Sequence, residues 1–148
     1  MNNSLKRKVF DSCVLPVLTY GVETLTLTKA SSSKLRVAQR AMERSMLGIT
    51  LRDKKTNEWI RQQTRVDVVM TRIALLKWNW AGHIARMTDD RWTKAILQWR
   101  PPKTRPTGRP PERWTNDIKR VAGITWQQVA VDRDEWKRKG EAYIQQWI

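Results

Sequence analysis

Five of the six prolines stand between residues 100 and 112, in the string RPPKTRPTGRPPE. Proline fixes φ and lacks an amide hydrogen, so no regular helix or paired strand runs through such a stretch. It reads as an extended linker, with no aliphatic side chain larger than proline to seed a core. The 148 residues are thereby divided into a body, 1–99, a basic Pro-rich linker, 100–112, and a C-terminal segment, 113–148. A chain of this length makes one ordinary domain, and a hydrophobic content of 40% permits a core.

On either side of the linker the apolar spacing is helical. Val9, Phe10, Cys13, Val14, Val17 and Leu18 fall in i, i+4 pairs, interrupted by Pro16 and ended by Tyr20-Gly21. Cys13 then packs as a small hydrophobe. Residues 24–28 (TLTLT) alternate with period two but have no partner strand, so they are extended rather than part of a sheet. Thr28 is an N-cap for a second helix with Leu35, Ala38, Met42, Met46 and Ile49 on its inner face and Gly48 as its stop. A short helix is expected near 57–63. The longest runs from about Asp67 to Met87, where Val69, Ile73, Leu76, Trp80, Ile84 and Met87 keep a 3–4 spacing. Past the linker, Gly123 ends one helix and Thr125 with Gln128 forms a capping box for another. Residues 126, 129, 133, 136, 140, 143 and 147 then make a heptad seam flawed by Arg133 and Gly140. The expected fold class is all-α: a helical body, a Pro-rich basic linker and a C-terminal helical pair.

Charge points to a partner. Twenty-nine Lys and Arg oppose fourteen Asp and Glu, a net charge of +15. Residues 1–50 hold 8 basic and 3 acidic side chains, 51–100 hold 11 and 5, and 101–148 hold 10 and 6, so the excess is not a tail. A polyanion relieves such self-repulsion, and nucleic acid is the commonest, because neutralised phosphates release their counterions. On the second helix, Arg36, Arg40 and Arg44 recur every four residues as a basic stripe; Arg52, Lys54 and Lys55 follow in a loop. The first residues are polar and basic with no apolar leader, no run reaches the roughly 18 apolar residues of a membrane helix, and the lone Cys13 forms no internal disulfide. These features place the chain in the nucleus or cytoplasm, with no membrane partner.

Catalysis fails on inventory. His83 and Cys13 are the only residues of their types, too few for a zinc site of the usual four N/S ligands, and a Ser-His-Asp or Cys-His arrangement would have to use His83. His83, between Trp80 and Met87, reads as a packed or capping residue. Asp89-Asp90 is the one adjacent aspartate pair, but Met87-Thr88 precede it and no aromatic strand does, so it reads as a cap and not as a metal pair. No catalytic residue, metal, cofactor or small-molecule substrate is expected.

Nine tryptophans stand against one Phe and two Tyr. Trp80, Trp126, Trp136 and Trp147 lie on apolar seams and are expected in the core, whereas Trp59, Trp78 and Trp92 are candidates for stacking on unpaired bases. Within the linker, Gly108-Arg109-Pro110, flanked by Arg105 and Arg113, matches the core of minor-groove AT-hook peptides, although Thr107 stands where a full hook has arginine. The alternative is a charged tether.

Five strings carry a resemblance: LKRKVFDSCVLPVLTYGVETLTLT (5–28), MERSMLGITLRD (42–53), LLKWNWAGHIARM (75–87), GRPPERWTNDI (108–118) and DRDEWKRKGEAYIQQW (132–147). In this order they resemble the region downstream of the palm in non-LTR (LINE-like) retrotransposon reverse transcriptases, with Leu25 in place of the usual Trp. The resemblance implies a thumb role for residues 5–28, in which Lys6, Arg7 and Lys8 grip template–primer backbone. It also implies a parent RNA-directed DNA polymerase whose palm, with its aromatic-x-Asp-Asp motif, lies before Met1. The expected partners are RNA and DNA, as template, primer or target. The alternatives are a stand-alone minor-groove binder acting through Arg105 and Arg109, or a decayed, truncated reading frame without function.

Overall fold

A computed structural model describes residues 2–88, 92–99, 107–108 and 112–147. Among these residues every regular element is a helix, and no strand forms. The expected linker, 100–112, lies outside them apart from Thr107, Gly108 and Glu112, and the Asp89-Asp90 pair is outside altogether.

The first helix is α1, Asn3–Val9, capped by the Asn2 side chain, which accepts from the Ser4 amide. It does not simply continue. Residues Phe10–Val14 form a π turn in which the Leu15 amide donates to the Phe10 carbonyl, one residue further than an α-helix allows, before α2, Leu15–Leu18. The extra residue turns the following side chains by about 100°. Phe10 and Leu15 therefore share the buried face, while Val17 is 79% exposed and Cys13 faces outward, so Cys13 does not pack as a hydrophobe. Pro16 sits just after this turn, where its missing amide is tolerated near the start of a helical segment. Gly21, at φ 67°, ends the segment in the left-handed conformation glycine adopts without a Cβ penalty. A 3-10 turn, Val22–Thr24, follows.

Helix α3, Lys29–Leu47, begins and ends as its sequence dictates. Thr28 accepts from the Ser31 amide, and Gly48 closes the last turn at φ 69°. Its inner face is more polar than the spacing suggests. Leu35, Met42 and Met46 pack against the core, but Ala38 is exposed, and Gln39, Arg40 and Glu43 are buried. Helix α4, Asn57–Thr64, packs against this face, with the Thr64 hydroxyl donating to Glu43 at 3.1 Å.

Helix α5, Val69–Ala85, is the centre of the molecule. Its N-cap, Val68, makes no side-chain hydrogen bond, and Gln39 substitutes from α3: its Oε1 accepts from the Val69 amide and its Nε2 donates to the Asp67 carbonyl, both at 2.9 Å. The Asp67 amide donates to Asp11 at 3.0 Å. Val69, Met70 and Ile73 join Phe10, Leu15 and Val22 in one apolar cluster; Ala74, Trp78 and Ala81 join the C-terminal helices in another. Being covered on several sides, α5 has no single stripe. Trp78 is 2% exposed and Trp80 only half-buried, the reverse of the sequence expectation. His83 is exposed rather than packed. Helix α6, Trp92–Gln98, follows.

After residue 112 come α7, Asn116–Ala122, the single turn α8, Trp126–Val129, and α9, Arg133–Gln145. Thr125 makes no side-chain cap, so the expected capping box is not formed. Asp132 caps instead, accepting from the Asp134 and Glu135 amides, and the break it creates ends the supposed continuous seam. What binds α9 to α5 is a reciprocal clasp of two Trp-x-x-x-Gly motifs, Trp78–Gly82 and Trp136–Gly140. The two indoles stack at 3.9 Å and 12°. Trp78 Nε1 donates to the Trp136 carbonyl at 3.0 Å and Trp136 Nε1 donates to the Trp78 carbonyl at 3.2 Å. Each indole lies over the other motif's glycine: a Cβ on Gly140 would stand 2.8 Å from Trp78 Nε1, and one on Gly82 would collide with Trp136. Gly140 is thus the socket of the seam and not its flaw. Trp114 adds a second tie, its indole donating to the Glu23 carbonyl at 2.7 Å.

Candidate nucleic-acid interface

The cations split into those engaged by the fold and those left to solvent. Lys6 is half-buried and donates its ammonium to the Met46 carbonyl at 2.5 Å, in the last turn of α3, where helix carbonyls favour a cation. It fastens α1 to α3. Arg7 pairs with Asp11 at 3.3 Å, one turn along. Lys8 is exposed.

The stripe on α3 does not survive as a surface. Arg40 is 8% exposed, and its Nη1 reaches both carboxylate oxygens of Glu43, at 2.6 and 2.5 Å. Burial lowers the Arg40 pKa, against the pull of Glu43. Arg36 donates to the Trp147 carbonyl at 2.5 Å and Arg44 is half-buried. The 3.6-residue spacing put 36, 40 and 44 on one face correctly, but that face is partly the inside of the protein. Arg40 in particular is withdrawn from contact with any external phosphate.

The loop after α3 is different. Thr50 and Asp53 form a capping box around a 3-10 turn, the Thr50 amide donating to Asp53 at 2.6 Å. That amide and the Thr50 hydroxyl hold the Asp53 carboxyl below its usual range. Arg52, Lys54 and Lys55 project from this ordered turn and are exposed, with Lys54 at φ 47° and the Lys55 ammonium 5.1 Å from the Trp59 ring centre. A capped turn presents its cations with less ordering cost than a slack loop would. Arg105 and Arg109 lie outside the described residues, as does the centre of the Gly-Arg-Pro motif.

Tryptophans sort similarly. Trp78 is core and leaves the set of stacking candidates, Trp59 is half-buried beneath Lys55, and Trp92 is 83% exposed. Trp80 meets Trp114 edge-on at 5.1 Å.

One constellation escaped the sequence reading. The Lys77 ammonium and the Tyr143 hydroxyl both reach Asp117 Oδ2, at 2.7 and 2.8 Å, and all three side chains are buried. The signal was present: Lys77 stands four residues after Ile73 and four before Ala81, a charge on an apolar face. Burial pushes the Lys77 pKa below its ordinary 10.5, outweighing the opposing effect of Asp117. Burial, then Asp117, pushes Tyr143 well above its ordinary 10.0. Between the lowered Lys77 pKa and 10.5 the unfolded chain binds more protons, so stability rises with pH. Above 10.0 the unfolded chain loses a Tyr143 proton that the folded chain keeps, so stability falls. Urea midpoints measured against pH should therefore climb on the alkaline side and turn over above 10.0, and Tyr143→Phe should remove the Tyr143 share of the decline. An identical decline in that variant would contradict the assignment.

Among the described residues no three His, Cys, Asp or Glu side chains gather to hold a metal. Among them, too, no helix is long and apolar enough to cross a membrane. Fold and surface together define a strongly basic protein, all-helical among the described residues, with buried ion pairs at Arg40–Glu43 and Lys77–Asp117.

The chain is 37% identical, over 149 aligned positions, to a transposon-derived protein of Caenorhabditis elegans; the match takes in 91% of this chain and 53% of that protein. The chain thus spans about half the length of the curated relative it matches. No family model matches the chain, and no solved structure matches it significantly.

Proposed function

We propose that the chain is a nucleic-acid-binding, C-terminal part of a retrotransposon reverse transcriptase, comprising the thumb and the region after it. On this reading it grips template, primer or target backbone for a catalytic palm elsewhere in the parent protein. The observation that carries it is the surplus of cations: a net charge of +15, with Lys8, Arg52, Lys54 and Lys55 exposed and without an ion pair among the described residues. The five ordered strings and the transposon-derived relative support the parentage. The fold assigns different tasks to the cations expected to bind. Lys6 and Arg40 hold helices in place, and the capped turn at 50–55 presents charge outward.

Phosphate contacts of this kind position a duplex without reading its sequence. Changing Lys8, Arg52, Lys54 and Lys55 to Gln should weaken binding about tenfold or more, equally for A·T-rich and G·C-rich duplexes. Fluorescence anisotropy on both duplexes measures this. Unchanged affinity in the four-site variant would contradict the assignment of the turn.

A further inference from the structure

A cleft of about 450 Å³ opens between the start of α3, the residues leading into α7 and the end of α9. Five cationic side chains line it, Lys29, Arg36, Lys77, Arg113 and Arg120, against two carboxylates, Glu112 and Asp117. Lys77 is matched by Asp117 and Arg120 by Glu112, while Arg36 donates to the Trp147 carbonyl. The Lys29 ammonium and the Arg113 guanidinium hold no ion pair or hydrogen bond with any described residue. Lys29 is exposed and Arg113 is half-buried. Ser32, Ser33 and Trp147 also line it.

A concave surface lined in this way focuses positive potential on whatever enters it. Its volume is within the roughly 300–1,000 Å³ of small-ligand sites, far short of a duplex groove. The ligand it suits is a single compact anion with several acceptor oxygens. A terminal phosphate monoester is such a group, with a charge of about −1.5 to −2 and three strong acceptors. An internal phosphodiester carries one charge and continues as chain on both sides, which suits an open surface better.

We propose that this cleft binds the terminal phosphate of a nucleic-acid strand, with Lys29 and Arg113 as the direct partners. The assignment rests on the nucleic-acid reading above and adds to it a preference for strand ends. A free nucleotide or inorganic phosphate presents the same oxygens, so the test separates these sources.

The experiment uses the full chain and three labelled single strands of one sequence: 5′-phosphorylated, 3′-phosphorylated, and with hydroxyls at both ends. The wild type should hold one phosphorylated strand about tenfold tighter than the hydroxyl strand, the effect of one charge-assisted hydrogen bond. Lys29→Gln with Arg113→Gln should abolish that preference, keep the hydroxyl-strand affinity within about twofold, and leave the helical circular dichroism unchanged. Lys29→Gln alone, at an exposed position, repeats the test if the double variant does not fold. Displacement of the strand by a nucleoside monophosphate or inorganic phosphate only at far higher concentration supports a strand-end site. Displacement by either at the strand's own dissociation constant overturns it. Equal binding of all three strands overturns the cleft while leaving backbone binding in place; binding of none overturns both.

Discussion

Trp78→Ala should cost about 3–5 kcal/mol, the range for truncating a large buried aromatic. The side chain is 2% exposed, stacks on Trp136, touches Tyr143 at 4.7 Å between ring centres, and supplies one of the two hydrogen bonds of the clasp. Its removal empties the space over Gly140 and leaves the Trp136 carbonyl without that indole donor. Against a total stability of about 5–15 kcal/mol, a loss of this size removes much of the folded population's margin. Trp80→Ala is the control, since that ring is half-buried and meets Trp114 only edge-on. Urea unfolding followed by far-ultraviolet circular dichroism should show Trp78→Ala clearly the weaker of the two. Equal midpoints would mean that the clasp does not hold α9 to α5.

Asp117→Ala should be comparably damaging, at about 3–5 kcal/mol, because it leaves the Lys77 ammonium buried without its counter-ion. Replacing both members of a buried pair by apolar residues is often neutral or even stabilising. Lys77→Met added to Asp117→Ala should therefore recover the part of the loss that comes from the unpaired charge. The Tyr143 hydroxyl would still lack its acceptor, which retains about 1–3 kcal/mol of the cost. A double variant as unstable as Asp117→Ala alone would show that packing, and not charge, governs this site.

The residues that could be placed from sequence are those whose structural role is local. Thr28 and Gly48 bound α3 because a side-chain oxygen and a left-handed glycine act within one turn. The all-helical class follows from the same short-range spacing. Errors arose where the deciding partner is distant in sequence. Nothing within one turn of Arg40 reveals that α4 packs against its face, although Glu43 three residues on was a hint of an ion pair. Trp78 and Trp80 are indistinguishable by type, and only α9, 58 residues away, decides which is buried. Gly140 looks like a defect in a heptad until Trp78 is laid on it. The π turn at Phe10–Val14 defeats periodicity directly, since one inserted residue moves Cys13 and Val17 from the expected inner face to the outer one. For the interface, composition indicated the chemistry of the partner, whereas the tertiary structure determined which cations remain to meet it.

The central claim is that this surplus charge grips phosphates. Its most direct test is the affinity of the intact chain for a mixed-sequence duplex across a series of salt concentrations. If several phosphates are neutralised, log affinity should fall linearly with log salt, at a slope of about −0.9 for each contact on duplex DNA. A slope steeper than about −3, reproduced on a second unrelated sequence, is the result expected for backbone gripping by several side chains. A flat salt dependence, or no measurable binding at low salt, would show that the basic surface serves only solubility and would contradict the account.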